Sequence, residues 1–314
     1  GRLVRLGCVN DLTADSGGEE RAADLLEEFF AGLPVSIERI TPHPGRTSLV
    51  VTVEGADPRS AGTPLTLLGH TDVVPVDEAK WTRDPFGAQI EDDVMWGRGT
   101  VDMLHLTAAM AVVTREVARR AQDGNPLARS LVFVAAADEE ARGGLGVPWI
   151  GDNKPNALPW DAALSEMGGA HVRGRRGGDS VVVVVGEKGA AQRRLHIRGD
   201  AGHGSVPLGR MSAVERLAQV SAALSAARWP TATDEVWAGF VRAFEFDETI
   251  ETSLINGTYE GDYSEFEDLA AFAHAISHVT VAQTVAHSGG PINVLPSHAT
   301  LELDIRTLPG EIGR

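Results

Sequence analysis

Leu65-Thr66-Leu67-Leu68 runs directly into Gly69-His70-Thr71-Asp72-Val73-Val74-Pro75. A short apolar run stopped by glycine reads as a buried strand. In open α/β sheets, ligands bind beyond the carboxyl ends of such strands. His70 therefore stands where a metal ligand would be useful. Asp72, two residues on, is placed to accept the other ring N–H and set the tautomer. A strand-end histidine followed by an Asx turn fits the same letters.

Working outward, residues 49–53 read as another strand, and residues 131–137 as a continuous apolar strand covered on both faces. Residues 181–185 are a further β-branched run. Ser16-Gly17-Gly18-Glu19 has capping-box spacing and opens an amphipathic helix through about Phe30. Residues 101–120 are Ala-rich and helical, while 171–180, rich in Arg and Gly, read as a solvated loop. Strands alternating with helices imply an α/β domain over residues 1–187, its central sheet mostly parallel with helices on both faces.

The character changes after Lys188. Residues 193–198 alternate as a half-exposed strand, 212–227 form an amphipathic helix, and 279–287 and 299–306 are strands flanking a Gly-Gly-Pro turn. That order suggests a smaller α+β domain with an antiparallel sheet over residues 188–314. A chain of 314 residues is also longer than one core usually serves.

The net charge of -16 argues against a nucleic-acid binder, which needs a basic face. Cys8 is the single cysteine, so neither an intrachain disulfide nor a cysteine-held zinc is available. No run reaches the ~20 apolar residues of a membrane span, and residues 1–6 lack the apolar stretch of a signal peptide. The expectation is a cytoplasmic protein.

Three further clusters resemble the first in position. Gly97-Arg98-Gly99-Thr100-Val101-Asp102-Met103 meets the start of the Ala-rich helix, where Asp102 could equally be an acid stabilised by the helix dipole. Asp138-Glu139-Glu140 leaves the apolar strand. Crowded like charges repel there unless a cation offsets them, though a solvated acidic turn is the plainer alternative. Ser165-Glu166-Met167-Gly168-Gly169 follows another short apolar stretch. One imidazole and several carboxylates at the ends of successive elements make a nitrogen and oxygen set that zinc accepts.

In this order the motifs His-x-Asp-x-Val-Pro, Gly-Arg-Gly-x-x-Asp-Met, Asp-Glu-Glu and Ser-Glu-x-Gly-Gly resemble the co-catalytic zinc peptidase family of aminoacylase, carboxypeptidase G, acetylornithine deacetylase and succinyl-diaminopimelate desuccinylase. The resemblance spans nearly the whole chain. It implies a catalytic domain followed by a lid that mediates homodimerisation, and two divalent ions, zinc foremost, with cobalt or manganese also acceptable. His70 and Glu166 would bind one ion, Glu140 the other, and Asp102 would bridge them. Glu139 would be the general base toward a metal-activated water, and Asp72 would orient His70.

In the lid, His203 of Gly202-His203-Gly204-Ser205 resembles a histidine that steadies the oxyanion in a partner's site, or else is simply a turn histidine. Asn293 and Arg306 resemble residues that contact substrate, the arginine gripping its carboxylate; a turn amide and a strand-face ion pair are the alternatives. The implied reaction is hydrolysis of an amide next to a free carboxylate, in an N-acyl amino acid, a dipeptide or a small peptide. A non-catalytic homologue serving in binding or dimerisation is the competing reading, and Glu139 argues against it.

Two departures stand out. The family's last metal ligand is a histidine beyond the lid, in a catalytic-domain return segment absent from this sequence. His274, His278, His287 and His298 all precede or lie within lid strands. The chain is therefore expected to be a fragment, or to have a weak second metal site. Leu104 and His105 also stand where the family usually has Lys-Gly.

The other enzyme signatures are missing: no Gly-x-Ser-x-Gly, no phosphate-cradling loop and no His-Glu-x-x-His. Asn256-Gly257-Thr258 reads as a turn rather than a glycosylation site.

Overall fold

A computed structural model describes residues 1–57, 62–141 and 143–310. The chain forms two compact units, Gly1–Glu166 and Met167–Arg314. The division falls before the change of character at Lys188, because residues 167–187 join the second unit. Val172, for example, is buried there among Trp237, Phe244 and Phe246.

The first unit contains α1 (Arg2–Leu6), α2 (Glu20–Phe30), β1 (Ser36–His43), β2 (Arg46–Val53), β3 (Leu65–His70), β4 (Gln89–Glu91), β5 (Val94–Trp96), α3 (Leu104–Gln122), β6 (Leu131–Ala136), α4 (Val147–Asn153) and β7 (Ala163–Leu164). Its main sheet has the order β1-β2-β6-β3-β7. It is parallel across β6, β3 and β7, the half that carries the motifs, and antiparallel at β1 and β2. The run 131–137 is buried along its whole length because the sheet is covered on both sides. Leu49, Val51, Leu131 and Phe133 meet Ala22, Leu26 and Phe30 of α2 and Ala111 and Ala118 of α3. Val50, Val132, Val134 and Ala136 meet Ile150 of α4 and Leu158. Each fully buried Leu, Val or Phe contributes about 1.5–3 kcal/mol relative to exposure.

The capping box expected at Ser16 and Glu19 does not form. The Ser16 hydroxyl instead accepts from the Asp11 N–H at 3.0 Å and the Arg46 guanidinium at 3.0 Å. Glu19 is wholly buried and bonded to Arg46. A buried cation drew both side chains away from the helix end.

The second unit contains β8 (His171–Arg173), β9 (Asp179–Val181), β10 (Gly189–Ala190), β11 (Arg193–Arg198), β12 (Gly202–His203), α5 (Ala213–Ala226), α6 (Glu235–Ala243), α7 (Glu248–Ile255), α8 (Ala270–Ser277), β13 (Thr280–Ser288), β14 (Val294–Leu295) and β15 (His298–Thr307). β15 is central, pairing antiparallel with β13 on one side and with β10 and β11 on the other. Helix α5 covers one face through Ala213, and Ser212 and Glu215 close a true capping box at its start.

Three features differ from expectation. Residues 171–180 form the β8–β9 hairpin rather than a loop. The 181–185 run is strand only at Val181, and Val183 and Val185 are exposed. Helices α6 to α8 enclose an aromatic core of Trp237, Phe244, Phe246, Tyr263 and Phe266 that the sequence reading passed over. Asn256 and Gly257 do form a turn.

Candidate metal centre

Because β6, β3 and β7 are parallel, their carboxyl ends open at one edge of the sheet. His70 is the last residue of β3, Glu139 and Glu140 lie just beyond β6, and Glu166 lies two residues beyond β7. Asp102 arrives from the turn before α3. It precedes the helix rather than occupying its first turn, and the Asp102–Met103 peptide is cis.

Helix α3 is locked to β3 at this point. Thr107 donates to the His70 carbonyl at 2.7 Å, and Met103 sulfur accepts the His70 N–H at 3.3 Å. The approach explains two glycines. A Cβ on Gly69 would sit 2.7 Å from the Thr107 hydroxyl. At Gly99, φ is +81° and a Cβ would sit 2.6 Å from Val73.

His70, Asp102 and Glu140 each offer a ligand atom, and these atoms lie within 4.8 Å of one another. His70 Nε2 is 3.2 Å from Asp102 Oδ1, 3.4 Å from Glu166 Oε2 and 3.8 Å from Glu139 Oε2. The imidazole is 2% exposed, whereas the Asp102 and Glu139 side chains are 69% and 53% exposed. The cluster thus has a dry floor and an open mouth.

The ring's other nitrogen lies 2.9 Å from the Asp72 carbonyl and 3.5 Å from the Asp72 carboxylate. The nearer partner is the backbone oxygen, not the carboxylate expected from spacing. The Nδ1-protonated form satisfies this contact and leaves Nε2 facing the acids.

The Asp72 carboxylate does something else. It accepts the backbone N–H groups of Glu139 at 3.2 Å and Glu140 at 3.0 Å, and the Asn10 amide at 2.8 Å. Asn10 also donates to Asp138 at 3.1 Å, and its own oxygen accepts from Arg46 at 3.1 Å. Arg46, wholly buried, is bonded to Glu19 at 2.6 Å, and Glu19 accepts the Asp138 N–H at 3.1 Å. This network holds the Asp138-Glu139-Glu140 turn from beneath. Of the three acids, Asp138 faces inward and also accepts the Leu145 N–H at 2.8 Å. Sequence reasoning missed Asn10 and Arg46. Arg46 opens β2 beside Thr47 and Ser48, so nothing local set it apart.

The electrostatics call for a cation. Burial alone would lower the His70 pKa, but the Asp72 and Glu166 carboxylates beside its ring, with Glu139 nearby, outweigh it and push it up to about 11. Burial and then the Asp102 charge push Glu140 up to about 7. Burial likewise raises Glu139, whereas the His70 ring beside it lowers Glu166. Glu166 Oε2 is buried without a hydrogen bond. A divalent cation would relieve both the crowded charge and this orphaned oxygen. One imidazole with carboxylates suits zinc, cobalt or manganese.

Residues 66–291 match Peptidase family M20/M25/M40. The chain belongs to this family. Its class is accordingly that of the metallopeptidases and related amidohydrolases. Among solved structures, this M20-family chain resembles an M20 metallo-carboxypeptidase from Sulfolobus solfataricus, at 21% identity and a TM-score of 0.66, covering 99% of this chain and 70% of that one. It also resembles the dipeptidase Dug1p from Saccharomyces cerevisiae, at 18% identity and a TM-score of 0.61, covering 99% and 69%. For human carnosine dipeptidase 1 the identity is 14% and the TM-score 0.57, with the same coverage. At these identities the likeness is one of fold. The M20-family chain spans about two thirds of the length of such structures.

The other candidates lie in the second unit. His203 Nδ1 is 2.7 Å from the Ser205 hydroxyl; His203 stands opposite Val294 in the β12–β14 pair, and one step on the Gly204 N–H donates to the Asn293 carbonyl at 2.7 Å. Arg306, near the end of β15, is paired with Asp304 at 3.0 Å. His105 is exposed on α3 and outside the metal cluster. Among the described residues, no helix is long and apolar enough to cross a membrane.

Proposed function

We propose that this M20-family chain hydrolyses an amide or peptide bond next to a free carboxylate, in a dipeptide, small peptide or N-acyl amino acid. The observation that carries the reading is one buried imidazole nitrogen within 3.2–3.8 Å of three carboxylates, beside a fourth, Glu140, that completes a metal-sized cluster. The carboxypeptidase and dipeptidases of similar fold favour small peptides as substrates.

His70, Asp102 and Glu166 would hold one divalent cation, zinc foremost, and Asp102 with Glu140 a second. When bound, the cations lower the pKa of a water and polarise the scissile carbonyl. Glu139 would take the proton from the attacking water and deliver it to the leaving amine. Burial raises its basicity, which suits it to that exchange. Asp72 fixes the backbone of Glu139 and Glu140, and its carbonyl orients His70.

His203 would donate to the developing oxyanion, and Asn293 and Arg306 would bind substrate. The arginine would have to exchange Asp304 for the substrate carboxylate. Residues 188–314 would act as the lid of a homodimer and residues 1–187 as the catalytic part. A reducing, cytoplasmic setting accords with Cys8, a lone and buried thiol.

The test is chelation of the protein followed by restoration of zinc, cobalt or manganese, with metal content and hydrolysis of dipeptides and N-acyl amino acids followed together. Metal-dependent recovery of cleavage is expected. Tight binding without hydrolysis of any such substrate would support the non-catalytic alternative. Absence of tight binding would remove the metal-centre reading.

A further inference from the structure

The sheet of the second unit has two unlike faces. Ile197, Ala299, Leu301 and Leu303 point toward α5 and are buried. Side chains alternate along a strand, so their neighbours face the other way. On that face His196 of β11 and His287 of β13 stand directly opposite Thr300 of β15, one on each side. His298 lies two residues before Thr300 on the same face. All three histidines are exposed. His298 leans diagonally toward β11, bringing its Nε2 to 3.4 Å from His196 Nδ1, with the ring centroids 5.6 Å apart.

We propose that His196 and His298 form a further metal site, a two-imidazole chelate for a transition cation such as Cu²⁺, Ni²⁺ or Zn²⁺. As a hydrogen bond between neutral rings, 3.4 Å is long, so the pair gains little by itself. As the edge between two ligands of one cation, with bonds of roughly 2.0–2.1 Å, the same 3.4 Å subtends about 110°, the tetrahedral value.

The paired strands already hold the two residues in register, so much of the ordering cost of chelation is met before binding. Imidazole selects copper, nickel and zinc over magnesium and calcium, which prefer oxygen. The site therefore differs in preference from the carboxylate-rich centre of the first unit. Arg198 stands opposite His298 and opposes an incoming cation, but it is exposed and its repulsion is screened by salt.

The test is calorimetric titration of the zinc-loaded full chain with Ni²⁺, beside His196→Ala, His298→Ala, His287→Ala and Arg198→Ala. One further equivalent is expected in the unmodified protein. It should be lost in His196→Ala and in His298→Ala, retained in His287→Ala and bound more tightly in Arg198→Ala. Circular dichroism should be unchanged in all four. Equal stoichiometry in the unmodified protein and the two paired-histidine variants overturns the proposal. So does equal loss in His287→Ala, which would make the binding a general property of surface histidines. Should a paired-histidine variant not fold, Cu²⁺ added to the unmodified protein must give electron paramagnetic resonance with two-nitrogen coupling, and its absence counts against the site.

Discussion

Asn10 donates its amide to Asp72 at 2.8 Å, with both side chains wholly out of solvent. The contact ties the amino-terminal segment to the carboxylate that fixes the backbone of Glu139 and Glu140. The geometry of the candidate metal centre is therefore set partly by a residue outside its ligand cluster.

Asn10→Ala is expected to leave the buried Asp72 and Asp138 carboxylates short of a donor, destabilising the fold by about 1–3 kcal/mol. Turnover should fall as well, because the Glu139–Glu140 turn loses its support. Urea denaturation and kcat, measured on the same preparation, check both effects.

Arg46→Met strands Glu19 as a buried, unpaired acid, at a cost of about 3–5 kcal/mol. Adding Glu19→Leu removes the stranded charge, and the double variant should be more stable than Arg46→Met alone. A double-mutant cycle of denaturation midpoints gives the comparison. If the second change brings no recovery, the loss lies in the other hydrogen bonds and packing of Arg46 rather than in the stranded charge.

Glu139→Gln retains size but cannot accept a proton. Hydrolysis should drop by roughly 10²–10⁴-fold while the zinc content measured by elemental analysis stays the same. His70→Ala should instead lose the metal first and the activity as a consequence.

The pH dependence of metal uptake follows from two raised pKa values. Without metal, His70 is pushed up to about 11 and is still protonated at pH 8, so binding must expel one proton. Glu140, pushed up to about 7, adds a second proton below neutrality. Affinity should therefore weaken as pH falls, about tenfold per unit between pH 7 and 9 and more steeply below pH 7. A pH-stat counting protons released per zinc, at pH 8 and at pH 6, measures the change directly.

Much of the candidate site could be read from the sequence because each motif is local. A buried apolar strand followed at once by polar residues says where the strand ends and what stands there, as at His70 and Glu139. What escaped the reading were partners far apart in the chain. Asn10 and Arg46 carry no local mark, since an isolated polar residue becomes informative only when its burial is known. Helices α6 to α8 were missed because their core is shared among all three, with no single segment showing the whole pattern. The capping box at Ser16 failed for a related reason: local spacing was right, but a buried guanidinium made the stronger bond.

The sequence by itself determined the alternation of strand and helix, the strand ends bearing His70, Glu139, Glu140 and Glu166, and the amphipathic helix over residues 212–227. These depend on propensity, periodicity and capping, which act within a few residues. Only the tertiary structure decided that Asp138 turns inward while Glu139 and Glu140 turn out, and that Asp72 serves the acidic turn with its carboxylate and His70 with its carbonyl. It alone decided that His196 and His298, 102 positions apart, meet on one sheet face. Such choices depend on where buried charges and amides find their partners, and that is settled when distant segments leave water together.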